Sequence, residues 1–92
     1  MPFGAMRDNP ARHRYELDVD GYTAAAYYRR EPGVIVFTHT EVPPEIGGRG
    51  VASDLTRQTL EQARADGVKV VARCPFVASY MARHPEFNDL VL

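Results

Sequence analysis

The segment with the most chemistry to offer is Glu45-Ile46-Gly47-Gly48-Arg49-Gly50-Val51-Ala52. Three glycines in four positions let the backbone turn sharply and approach a ligand closely. Directly after them, from Val51 to Asp66, apolar residues recur at helical spacing. A helix that starts there leaves its first N–H groups unpaired and turns the positive end of its dipole toward the loop. Such a junction suits an anion, a phosphate or pyrophosphate above all, and Arg49 adds charge. In plainer terms, the same residues make a glycine turn that only lets the helix pack on a sheet. Two nucleotide-binding patterns are excluded. A P-loop carries Lys-Ser or Lys-Thr after its last glycine, where Val51-Ala52 stands. A dinucleotide fingerprint is spaced G-x-G-x-x-G, and the spacing here is G-G-x-G.

Titratable side chains cluster elsewhere. Ile35, Phe37, His39 and Glu41 share one face of a strand if no bulge intervenes. Two apolar residues followed by two titratable ones describe a face that leaves the core and enters a cleft. Histidine as a class exchanges protons near neutral pH, so His39 is a candidate base, with an ordinary edge histidine as the alternative. Glu41 is either a second base, acting directly or through water, or a solvated strand-end carboxylate. Cys74 ends a later strand on the face of Val70 and Ala72. It is either a nucleophile, which requires a lowered pKa, or a small buried hydrophobe. The only cysteine of the chain excludes an internal disulfide and fits a reducing compartment. Three scattered histidines beside one thiol make no structural zinc site, and no metal is expected.

The elements that hold these residues follow from composition and periodicity. Ninety-two residues allow one domain. Eleven basic against twelve acidic residues leave a net charge of −1, too weak a field to argue for nucleic acid or an anionic membrane as partner. The longest apolar run without alanine is Val34–Phe37, far short of a membrane span, and a cytoplasmic protein is expected. Residues 1–12 read as a flexible N-terminal arm and residues 13–92 as the domain. Tyr15, Leu17 and Val19 alternate with acids up to a tight Asp20-Gly21 turn. A second strand runs from Tyr22 to Arg30, and Glu31-Pro32-Gly33 turns into a third, Val34 to Glu41. The helix over Val51–Asp66 presents Val51, Ala52, Leu55, Thr59 and Ala63 on one side and ends at Gly67, where a C-cap glycine belongs. Val68 to Ala72 is a buried strand, and Val77 to His84 a short helix stopped by Pro85. The fold class is α/β (α+β): an antiparallel meander, then a βαβ unit whose two strands are parallel, then a short C-terminal helix.

At the glycine loop the sequence resembles the pyrophosphate loop of the GNAT superfamily of N-acetyltransferases, Gln/Arg-x-x-Gly-x-Gly/Ala. Here it reads Glu45-x-x-Gly48-x-Gly50, with Glu45 in the usual Gln/Arg position and Gly47 where a basic residue is common. The wider strings HTEVPPEIGGRGVAS and KVVARCPFVASYMARHPEF are similar to the minimal, single-domain GNAT-like subgroup. That likeness covers His39 to the C-terminus closely and the earlier strands loosely.

The resemblance implies acetyl-CoA or CoA as cofactor, lying between two parallel strands that splay apart. Val42 would meet the pantetheine. Gly48, Arg49, Gly50, Val51 and Ala52 would offer N–H groups to the pyrophosphate, and Arg83 would reach the adenosine phosphate. Tyr80 matches the helix tyrosine that protonates the departing thiolate, with core packing against Phe76 as its other reading. The implied reaction moves an acetyl group from the thioester to an amine, small molecule or protein. The alternative is a CoA- or acyl-CoA-binding module without efficient turnover, because the chain has no room for the larger substrate apparatus. An exposed strand edge allows a monomer or a weak homodimer.

Overall fold

A computed structural model describes residues 3–92. Five strands form one sheet in the order β1-β2-β3-β4-β5: β1 (Arg7–Asn9), β2 (Arg14–Val19), β3 (Tyr22–Glu31), β4 (Val34–Glu41) and β5 (Lys69–Ala72). The first four neighbours pair antiparallel and β4 pairs with β5 in parallel. Helix α1 (Val51–Asp66) makes the crossover, and α2 (Pro75–Arg83) follows β5. Short 3-10 turns cover Pro10–Arg12, Pro44–Ile46 and Pro85–Leu90. The meander, the βαβ unit and the C-terminal helix agree with the sequence reading. Asp20 and Gly21 both have positive φ (51° and 82°), the conformation that a two-residue hairpin of right-handed twist requires.

Alternation along the strands sorts the sheet into two faces. Tyr15, Leu17, Ala24, Ala26, Ile35 and Phe37 point to the helices and pack with Val51, Leu55, Leu60, Val77 and Tyr80 in one core. The other face carries the register rows Arg14–Tyr27–His39 and Glu16–Ala25–Glu41, with no helix over them among the described residues. The buried side of α1 includes Thr56 and Leu60, which the helical pattern alone did not single out. Thr56 and Thr59 satisfy their hydroxyls on the carbonyls of Ala52 and Thr56, each at 2.8 Å, so the helix buries them at little cost.

Three expectations need correction. Residues 7–12, assigned to a flexible arm, are ordered structure: Arg7–Asn9 form β1, which pairs with Arg14–Glu16 of β2, and Pro10–Arg12 make the 3-10 turn between the two strands. Arg7 of this segment pairs across the strands with Glu16 at 2.7 Å and with Asp18. Met6 N–H also donates to Gln58 Oε1 at 2.8 Å, which ties the segment to α1. Residues 1 and 2 of that arm lie outside the described residues. Secondly, Glu16 was read as a polar residue on an outward face, and it is buried.

Thirdly, Ile35, Phe37, His39 and Glu41 do not share a face. Tyr28 pairs with Phe37 but Tyr27 pairs with His39, so Thr38 is an extra residue in β4. This bulge shifts the alternation by one. Ile35 and Phe37 face the core, whereas His39 and Glu41 emerge on the uncovered side.

No helix among the described residues is long and apolar enough to cross a membrane.

Candidate active site

Beyond Phe37 the two parallel strands part. The N–H groups of Arg73 and Cys74 both donate to the Phe37 carbonyl at 2.9 Å, and there the chain turns into α2. Strand β4 runs on to Glu41, paired only on its β3 side. The result is a gap in the strand pairing, where β4 faces the start of α2 instead of a strand and Thr40 Oγ1 comes within 3.5 Å of Cys74 Sγ. Pro43 and Pro44 follow β4 and cannot donate to a continuing sheet.

On the helix side, the glycine loop ends at the gap. Gly48 and Gly50 adopt left-handed backbone (φ 73° and 81°), which any other residue enters at a cost of roughly 1–2 kcal/mol. A Cβ at either glycine would meet nothing within 4 Å, so the loop faces open space. Gly47 differs: its φ is −68°, and no conformational demand rests on it. Gly50 caps α1 without a side-chain hydrogen bond, and Asp54 N–H is the first to donate back, to Gly50 O at 3.0 Å. The amides of Val51, Ala52 and Ser53 meet no acceptor among the described residues. Their alignment with the dipole of a 16-residue helix makes an anion site of backbone alone. A pyrophosphate fits these groups.

The loop borders a cleft of about 390 Å³ that Arg49, Gly50, Ser53, Tyr80, Arg83 and His84 help to line. Arg83 stands there with its Nε 3.4 Å from Ser79 O. Arg49 reaches away from the cradle to Asp20, at 2.6 Å, which offsets its charge. Tyr80 is buried, with its ring 3.9 Å from that of His84 and 19° from parallel. Burial pushes the Tyr80 phenol above its ordinary pKa, against the opposing field of Arg57. It therefore holds its proton at neutral pH. Tyr80 and His84 stand four residues apart on a helix and its end, a spacing that predicts their contact.

Cys74 lies at the root of the gap, buried, with its Sγ 3.5 Å from Thr40 Oγ1. Burial alone would raise its pKa. The Thr40 hydroxyl and the peptide N–H groups of Val77 and Phe76 in the first turn of α2 outweigh that, and the thiol sits below its ordinary value. The sequence reading missed Thr40, because its approach to Cys74 depends on the same bulge.

His39 and Glu41 are together but on the far side of the sheet. His39 Nε2 is 3.9 Å from Glu41 Oε2, and both side chains are 62% exposed. The imidazole stacks on Tyr27, another residue the sequence reading passed over, with centroids 5.9 Å apart and 25° between planes. Val42 is partly buried against the core just after β4. The candidates thus form two groups, Cys74 and Tyr80 with the glycine loop on the helix side and His39 with Glu41 on the open side.

Comparison with known proteins places this arrangement. Residues 14–90 match the model of the GCN5-related N-acetyl-transferase family. The chain is also similar to the solution structure of a GCN5-like candidate N-acetyltransferase from Staphylococcus aureus. TM-score is 0.74 at 25% identity, over all of this chain and 91% of that one. No curated protein matches the sequence. A family match over residues 14–90 and a fold shared along the whole chain lead to one conclusion: the chain belongs to the GCN5-related N-acetyltransferase family.

Proposed function

We propose that the protein transfers an acetyl group from acetyl-CoA to a primary amine, on a small molecule or on a protein. The support is the end of β4–β5 pairing at Phe37, after which β4 carries His39 and Glu41 with no strand on its β5 side, together with the left-handed glycines and free helix amides that begin α1. In this reading the amides from Gly48 to Ala52 hold the pyrophosphate and Arg83 the adenosine phosphate, while Val42 flanks the pantetheine. The acceptor comes from the uncovered face. His39, with Glu41 beside it, takes the proton that the ammonium must lose before it can attack. Tyr80 returns a proton to the departing thiolate. The depressed pKa of Cys74 makes it available as a second nucleophile at the same place.

Calorimetry with acetyl-CoA and CoA, followed by thiol release with spermidine and with a lysine peptide, tests the proposal. Binding with transfer to at least one amine is expected. Mass spectrometry after acetyl-CoA alone reads whether Cys74 carries the acetyl group in transit, with Cys74→Ala as the control. Absence of binding at millimolar acetyl-CoA would overturn the whole reading. Binding without transfer would favour a CoA-binding module, to which the pairing of Arg49 with Asp20 and the carboxylate of Asp54 in the first turn of α1 lend support. Both lower the positive potential at the cradle.

A further inference from the structure

We propose that Tyr27 and Arg14 are positioning residues that hold the His39 imidazole for its work at the β4–β5 gap; this rests on the catalytic reading of His39 given above. The starting point is a charge in an expensive place. Glu16 is the one charged residue among the buried ones described, and a buried carboxylate is tolerated only when paired and hydrogen-bonded. Arg14 Nε donates to it at 2.6 Å and Asn9 Nδ2 at 3.1 Å, while Arg7 pairs with its other oxygen at 2.7 Å.

Fixing β1 to β2 accounts for Arg7 and Asn9 but not for what Arg14 does next. Its Nη1 donates to the Tyr27 hydroxyl at 2.8 Å, with the guanidinium carbon 5.5 Å from the ring centroid. Tyr27 is therefore held at its far end as well as at its Cα. On that ring lies His39, its register partner across the strands. The imidazole is otherwise largely exposed, with Glu41 Oε2 3.9 Å from its Nε2. The row Glu16–Arg14–Tyr27–His39 thus runs from a buried anchor to the candidate base across three strands.

The bulge at Thr38 completes the device. Without the extra residue, alternation would set Thr38 on Tyr27 and turn His39 into the core. The bulge and the anchored tyrosine have one common result, an imidazole on the open face in a restricted orientation.

Solution NMR of the labelled full chain tests this without an acceptor. In Tyr27→Leu the His39 ring protons should lose the displacement caused by the tyrosine ring, and in Tyr27→Phe or Arg14→Gln they should move less. Unchanged His39 signals in Tyr27→Leu would overturn the proposal while leaving the role of His39 intact. The kinetic arm uses acetyl transfer to spermidine. Tyr27→Leu should lower kcat about tenfold with the KM for acetyl-CoA unchanged, and should have no further effect in a His39→Ala background. Equal losses in both backgrounds would show that Tyr27 acts through something else. Full activity of His39→Ala would remove the catalytic reading of the histidine, and the proposal with it, without touching the glycine-loop assignment. Tyr27→Phe keeps the ring on β3 and serves where the leucine variant does not fold.

Discussion

At the amino end of α1 the groups that face the cleft are peptide amides, whereas on the uncovered face of the sheet they are side chains. The cradle from Gly48 to Ser53 owes its chemistry to backbone direction, and its residue types matter chiefly by permitting that direction. The His39 surface owes its chemistry to an imidazole, a carboxylate, a phenol and a guanidinium held in register by three strands. The first kind of site is sensitive to conformation and added charge. The second is sensitive to truncation and to the network behind it.

The strongest way to break this comparison is at Gly50. Gly50→Asp strains a left-handed residue and sets a carboxylate where the proposed function puts the pyrophosphate. An affinity loss for acetyl-CoA of about 100-fold, about 2.7 kcal/mol, is expected by calorimetry. Gly47→Ala sharpens the point, since its φ is ordinary and its Cβ would lie 3.4 Å from the nearest atom, Pro44 O. Less than about a twofold change is expected there. If the two glycines respond alike, the cradle is not built from backbone direction.

An intermediate effect is expected at Glu16. Burial pushes its carboxyl up, but Arg14, Asn9 and Arg7 outweigh that, and its pKa is lowered. The ionised form is thus favoured by folding. Its contribution is present above the ordinary glutamate range and is lost as pH falls through and below it. Glu16→Gln should cost about 2 kcal/mol in urea unfolding at neutral pH, with the deficit shrinking on acidification. Acetyl-CoA affinity should not change, because the cradle shares no residue with this network. A deficit that grows in acid would reverse the sign assigned to Glu16.

The smallest effect concerns Cys74, at the root of the gap between the two regions. With its pKa lowered, alkylation by iodoacetamide should reach half its limiting rate below the value for free cysteine, about 8.5. Thr40→Val removes one of the groups that favour the thiolate and should move that midpoint upward. A midpoint unmoved by the substitution would leave the N-terminus of α2 as the main cause.

Much of the architecture was legible because its signals are local. Asp20-Gly21 and Gly67 take backbone conformations that their residue types favour, and α1 begins and ends where periodicity and the flanking glycines put it. The glycine loop was legible for the same reason, since its chemistry is that of consecutive amides. The N-terminal strand was not, because Arg7–Asn9 pairs through charges whose partners, Glu16 and Asp18, are matched only once β1 lies beside β2.

By itself, then, the sequence determined the elements from β2 onward, their order and the glycine loop that opens α1, all consequences of interactions a few residues apart. Only the tertiary structure decided which side of the sheet each candidate occupies. A single extra residue, Thr38, inverts the alternation that periodicity assumes, and nothing within β4 marks it. The bulge is a feature of how β4 pairs with β3, and that pairing exists only once the strands are assembled.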